Sequence, residues 1–363
     1  MILEALERLL GEQCTGADIR RIEAGGPVGV LWQQIEAAGF LDLLPGEEQG
    51  GAGLPLAELF PILECLGRFV VPVPIAQSIV ARALVRGRAT LPKGMLTLAT
   101  RLRRTDGVGM VCQLVLCGAI ADHVLVCDSD TLLLLPCATA RREAVGDPRS
   151  LGATLTWRTS EPLFHLADGG NDLRAFGAAM AAALLSGAMQ RSFDMALAHC
   201  NTRMQFGKSI GKFQAIQQQL SVMAEHVLAG AIAAESAFQS AGRTPSLLAA
   251  AIAKSRASER GRRPGRRHSP CGARRHRHDR RIRPGYPDPP PARMASQLRR
   301  RALLEPGYRR AAAGFGVERG RLRANRMKHR RSRRRNCCPL HSFTLAQPLF
   351  HQRLSRSFRD AHR

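Results

Sequence analysis

Between Arg203 and Gln214 the chain reads Arg203-Met-Gln-Phe-Gly207-Lys-Ser-Ile-Gly-Lys-Phe213-Gln214. Taken singly, these residues say little. Arg203 alone reads as a solvated arginine at a helix end, and Phe206 reads equally well as core. Gln214 competes with Gln217, Gln218 and Gln219 for any amide role. Asp172 stands where a long helix begins and reads as its cap rather than as an acid or base. Gly50-Gly51-Ala52-Gly53 reads as a structural loop before it reads as a ligand cradle. The ten cysteines form no CxxC pair and no Cys/His metal spacing; the closest are Cys112/Cys117 and Cys337/Cys338. No metal site is expected. Isolated cysteines in a neutral globular part read as buried thiols of a reducing cytoplasm.

Charge divides the chain more sharply than any motif. Residues 1–256 carry 23 Lys+Arg against 23 Asp+Glu, whereas residues 257–363 carry 31 against 6, which is the entire net charge of +25. Of those 31 cations only Lys328 is lysine. One reading is a basic arm that neutralises phosphates and binds nucleic acid with strong salt dependence. The competing reading is a shifted frame in a GC-rich gene. Codons permitted by Arg274 to Pro284 spell Gly-Ala-Ile-Gly-Met-Thr-Ala-Glu-Tyr-Gly when read one base later. The same offset gives coherent, aromatic-containing protein from about residue 261 to residue 309. The frame slip, starting near Ser258 or Glu259, is the better reading because one offset serves throughout.

The elements that must carry the 203–214 run follow from periodicity. The first 86 residues read mostly as helix: an apolar stripe through Val30, Leu31 and Ile35, a Gly-rich loop over 43–53, a helix opened by Pro55, and another over 75–85. Residues 94–160 change to short Val/Leu runs at 95–99, 109–117, 123–127, 131–135 and 153–157, which predicts a small antiparallel β domain. Asp147-Pro148-Arg149 marks a turn. A long helix is expected from an Asn171 or Asp172 cap to about Asn201, a second from about Lys212, and a third from near Pro245. The apolar run from Ala175 to Met189, about 15 residues, is shorter than the roughly 20 that span a bilayer and reads as a buried helix. The fold class is therefore mainly α with a small β domain. The ranges are 1–86 helical, 87–165 β, 166–258 an incomplete helical bundle, and 259–363 an out-of-frame, disordered Arg-rich tail.

The run from Arg203 to Gln214, followed by Ala215-Ile216, resembles the signature of the acyl-CoA dehydrogenases: Arg-x-x-Phe-Gly, then a Gln on the next helix. Upstream, Leu44-Pro45, Glu48, Gly50 to Gly53, Glu64-x-x-Gly67-Arg68 and Pro72-x-Pro74 resemble that family's N-terminal helix pair. The resemblance covers residues 1–258, with helical, β and helical parts in family order. It implies FAD as cofactor and an acyl-CoA thioester as substrate, with a carboxylate base taking the α proton while hydride leaves the β carbon. It implies that Arg203 and Gln214 contact the FAD diphosphate, typically that of the neighbouring subunit, and that Phe206 lies toward the adenine. A guanidinium fork and an amide donor suit phosphate oxygens. It further implies an oligomer of like or unlike acyl-CoA dehydrogenase subunits, an electron-transfer flavoprotein as acceptor, and a role in lipid or steroid degradation.

Two departures qualify the resemblance. The position where some members carry a glutamate base on the first C-terminal helix falls on Gly177, and other members carry the base in the last helices, which are not encoded in frame here, so the catalytic base is unknown. This points to the less complete subunit of an unequal pair, or to a flavin-less structural partner. The family's C-terminal part is a four-helix bundle, and its last helices are not encoded in frame here. The chain as written is therefore expected to be insoluble or flavin-free, with impaired dehydrogenation.

Overall fold

The computed structural model describes residues 1–260 apart from 86, 106–108 and 146–149. Residues 261–363, most of the Arg-rich segment, lie outside the described residues, as does the expected turn at 147–149.

Five helices open the chain: α1 (Ile2–Gln13), α2 (Gly16–Glu23), α3 (Gly29–Ala37), α4 (Leu56–Phe69) and α5 (Ile75–Val85). Leu31 and Ile35 face the core of α3 as their spacing requires, while Val30 points outward. Pro55 stands just before the first residue of α4. The loop between α3 and α4 is tied by its own backbone: Gly53 N–H donates to the Pro45 carbonyl at 2.7 Å and Leu54 N–H to that of Leu43 at 2.8 Å. That satisfies the loop internally, in keeping with a structural role for Gly50 to Gly53.

Eight strands follow, β1 (Leu96–Ala99), β2 (Arg103–Thr105), β3 (Gly109–Val115), β4 (His123–Asp128), β5 (Thr131–Pro136), β6 (Arg141–Ala144), β7 (Ala153–Trp157) and β8 (Phe164–Leu166). They form two four-stranded sheets in the orders β1-β4-β5-β8 and β2-β3-β7-β6. The expectation of an antiparallel domain needs one correction, since β1 pairs with β4 in parallel. A crossover through β2 and β3 separates these two strands in the chain, which leaves room for parallel pairing. β2 and β6 escaped the sequence reading because they are short, charged and fully exposed edge strands. Trp157 is fully buried in a separate apolar cluster and donates its indole N–H to the Pro136 carbonyl at 2.8 Å.

Three helices complete the described chain: α6 (Gly170–Thr202), α7 (Gln214–Ser236) and α8 (Leu247–Arg260). The cap of α6 is Gly169, not Asn171 or Asp172. Asp172 lies in the first turn, where its charge favours the helix N-terminus, and the Asn171 amide oxygen accepts from Arg174 at 3.1 Å. A short 3-10 turn, Ile210–Lys212, precedes α7, so that helix starts two residues later than Lys212. Glycines set how closely α6 crosses α4. An added Cβ on Gly67 would collide with the Leu184 carbonyl, and one on Gly187 with the Glu64 carbonyl. The crossing is pinned by Ser186, whose hydroxyl donates to Glu64 at 2.7 Å. The loop after α7 is fastened back onto the N-terminal part by the Phe60–Phe238 contact (centroids 5.8 Å apart) and by Arg243 donating to the Leu44 carbonyl at 2.9 Å.

The main core runs through α1, α3, α4, α5 and the first half of α6. Beyond Ala188, α6 buries no residue, and α7 buries only Val227, Gly230 and Ala234. Val222, Leu228, Ile232, Leu247, Leu248 and Ile252 remain exposed on α7 and α8, Ile232 at 59% and Leu248 at 56%. Loss of the last bundle helices is expected to uncover the apolar faces of residues 173–201 and 212–241; among the described residues this holds for much of α7, whereas α6 from Leu173 to Ala188 is buried against α4 and its neighbours. No described helix is long and apolar enough to cross a membrane.

Candidate functional site

The run from Arg203 to Gln214 links α6 to α7. Arg203 caps α6, its N–H donating to the His199 carbonyl at 3.0 Å. A small hairpin follows, β9 (Met204–Gln205) paired with β10 (Lys208–Ser209), closed by Phe206-Gly207. Both turn residues have positive φ, 51° and 77°, as a two-residue hairpin of the I′ type demands. The hairpin folds back when Ile210 N–H donates to the Arg203 carbonyl at 2.9 Å. Gln214 is the first residue of α7, which has no side-chain cap at its start.

The loop thus brings Arg203, Phe206 and Gln214 onto one exposed surface segment. The hairpin was not foreseen, because Phe-Gly is not one of the Asn-Gly or Asp-Gly pairs that signal it. Phe206 is 90% exposed, so its core reading fails. A bulky ring held at positive φ and open to water is an unfavourable placement that burial does not offset here. Its ring stands edge-on to Phe213 with centroids 6.2 Å apart, and the Lys208 ammonium lies 4.5 Å over the Phe213 ring. Lys208 and Lys212 add charge that the sequence reading left unassigned. No acidic residue occurs between positions 203 and 224. Three cations, an amide donor and the uncapped amino end of a 23-residue helix form a donor set for a phosphorylated ligand.

The catalytic base stays absent from the position where it was sought. Gly177 offers no side chain, and an added Cβ would stand 3.2 Å from the Thr100 methyl. Among the described residues no group of three or more His, Cys, Asp or Glu side chains could hold a metal ion. Burial pushes the thiols of Cys14, Cys65 and Cys137 up to about 12, which makes them packing groups rather than nucleophiles.

A family model of the acyl-CoA dehydrogenase C-terminal domain matches residues 175–267. The acyl-CoA dehydrogenase IpdE2 of Mycolicibacterium smegmatis is 31% identical over 234 residues, spanning 63% of this chain and 71% of that protein. FadE34 of Mycobacterium tuberculosis, also an acyl-CoA dehydrogenase, is 30% identical over 264 residues, 66% of this chain and 37% of its own. Among solved structures, the ChsE4-ChsE5 complex from Mycobacterium tuberculosis shares the fold at a TM-score of 0.60 and 20% identity, covering 71% of this chain and 82% of that one. The chain belongs to the acyl-CoA dehydrogenase family, oxidoreductases that act on the CH–CH bond of acyl-CoA thioesters.

Proposed function

We propose that this chain is the smaller, FAD-holding subunit of an unequal acyl-CoA dehydrogenase pair. The observation that carries the reading is the hairpin between α6 and α7. It sets Arg203, Phe206 and Gln214 in the order of the family's flavin signature, on a surface with no acidic residue to repel a diphosphate. Arg203 would hold phosphate oxygens of the cofactor with its guanidinium, and Gln214 would donate from the head of α7, where the unpaired backbone amides add positive potential. Phe206, exposed at the hairpin tip, would offer a flat face to the adenine. FAD, when bound, supplies the hydride acceptor for the β hydrogen of the acyl thioester.

The chain's own residues bind and orient; the α proton needs a carboxylate from elsewhere. Gly177 cannot provide one and the last helices are not encoded in frame, so in the chain as written the base comes from the partner subunit. Unequal pairing is supported by two solved relatives, the ChsE4-ChsE5 complex and a Tcur3481-Tcur3483 steroid acyl-CoA dehydrogenase. PigA, a structural relative at a TM-score of 0.57, was solved with FAD. An electron-transfer flavoprotein is the acceptor that family membership favours, and a lipid or steroid acyl-CoA the substrate.

The frame-slip reading of residues 259–363 joins this proposal. The uncovered faces of α7 and α8 are what a bundle lacking its last helices presents. Each large apolar side chain left in water forgoes roughly 1.5–3 kcal/mol, against a total stability of about 5–15 kcal/mol. The 363-residue chain therefore self-associates through this face and retains no flavin. Restoring the shifted frame after codon 258 tests both parts. The product should bind FAD, and Arg203→Ala within it should lose most of that affinity. Retention of FAD by Arg203→Ala at undiminished affinity would remove Arg203 from the site.

A further inference from the structure

We infer that the open end of the β sandwich, where the β2–β3 pair faces β8, is a binding site for a phosphate monoester, with Arg104, Arg158 and His165 as its charged and imidazole donors.

Strand register places two of these groups on facing surfaces. In the sheet β2-β3-β7-β6, Arg104 stands opposite Met110, and Met110 opposite Trp157. Met110 and Trp157 belong to the apolar cluster that the two sheets share, so Arg104 occupies the inner face of its sheet. In the other sheet His165 stands opposite Leu133, a member of the same cluster, and occupies the inner face there. Both line a cavity of about 410 Å³ together with Arg158, Thr159 and Ser160, which leave the end of β7. That volume falls within the roughly 300–1,000 Å³ of small-ligand pockets. The site lies at the Gly109 end of β3, opposite the end that leads into the β3–β4 connection.

The donors outnumber what the fold uses. The Asp128 carboxylate, at the end of β4, accepts from Arg104 Nε at 2.9 Å and from Nη2 at 2.8 Å. It holds one edge of the guanidinium and leaves Nη1 for a ligand. Arg158 and His165 are exposed and form no ion pair among the described residues. Glu161 sits in the same segment, yet no Asp or Glu lines the cavity. An inward charge on an edge strand can act simply to discourage pairing with other sheets, but one charge suffices for that. Two guanidinium groups, an imidazole and two hydroxyls around one cavity suit a ligand with several acceptor oxygens. A phosphate monoester brings three such oxygens and close to two negative charges, where a carboxylate brings two oxygens and one charge. Met110 forms part of the wall and accommodates a small apolar body on the ester.

Phenylglyoxal, which modifies accessible arginines, tests this on the full chain when its adducts are mapped by peptide mass spectrometry. Arg103 is the internal control, because it is exposed and stands opposite Val111 on the outer face of the same strand. Phenyl phosphate, with ionic strength held constant by sodium chloride, should slow modification of Arg158 about tenfold and leave Arg103 unchanged. Benzoate should protect Arg158 more weakly, and phenol not at all. Arg104→Gln should raise the phenyl phosphate concentration for half protection about tenfold. His165→Gln should raise it as well, and keeps the test valid should loss of the Asp128 contact disturb the sandwich. Equal protection of Arg103 and Arg158 overturns the proposal. So does protection by benzoate as strong as by phenyl phosphate, or an unchanged half-protection concentration in both variants.

Discussion

The two halves of α6 live in different surroundings. From Gly170 to Ala188 the helix is sealed between α4, α5 and the sheets, and its buried residues include Leu173, Phe176, Met180, Leu184 and Leu185. From residue 190 onward it buries nothing, and the helices packed beside it, α7 and α8, turn large apolar residues to water. One continuous helix thus belongs to a finished core at one end and to an unfinished bundle at the other. The Arg203–Gln214 hairpin, the proposed flavin contact, hangs from the open end. The folded core and the proposed flavin site therefore depend on different parts of the chain, and the second can fail while the first persists.

Substitutions at the two ends should separate most clearly in stability. Leu185→Ala, at the sealed end, should cost about 2–5 kcal/mol in urea unfolding. Met195→Ala, at the open end, should stay within about 0.5 kcal/mol. A similar cost for both would mean that the open half is packed after all. Next in size is the flavin effect. Within the frame-restored product, Arg203→Ala should weaken FAD about 10- to 100-fold by fluorescence titration, the range of one charge-assisted hydrogen bond. Because Arg203 is exposed, its Tm should not move.

A smaller effect should appear on the uncovered face itself. Ile232→Glu with Leu248→Glu should shift the 363-residue chain toward the monomer in sedimentation velocity, without changing its unfolding midpoint. Unaltered self-association would place the contact elsewhere. The smallest effect belongs to His123 on β4, whose Nδ1 is buried without a hydrogen-bond partner. Burial lowers its pKa below the ordinary 6.5, with Asp122 opposing the shift. The unfolded chain then binds the proton more readily, so stability is full above about pH 6.5 and declines as pH falls below it. His123→Gln should flatten that decline in a pH series of unfolding midpoints.

Much of this was legible in the residues. The helices over 56–69 and 75–85 follow from apolar spacing bounded by prolines, and the strands at 123–128 and 131–136 from dense Val and Leu runs. The arginine–glutamine motif was legible as a pattern, although its hairpin was not. Charged edge strands such as Arg103–Thr105 carry no apolar alternation to read. The α6 cap was misplaced because Gly169 offers no side chain to announce it.

The most direct test of the account compares two products of the same gene, the 363-residue chain and the chain read one base later after codon 258, each purified and scanned for bound flavin near 450 nm. The account predicts that the second carries FAD and that the first does not. A stoichiometrically yellow, monodisperse 363-residue chain, or a frame-restored product that binds no FAD, would contradict it.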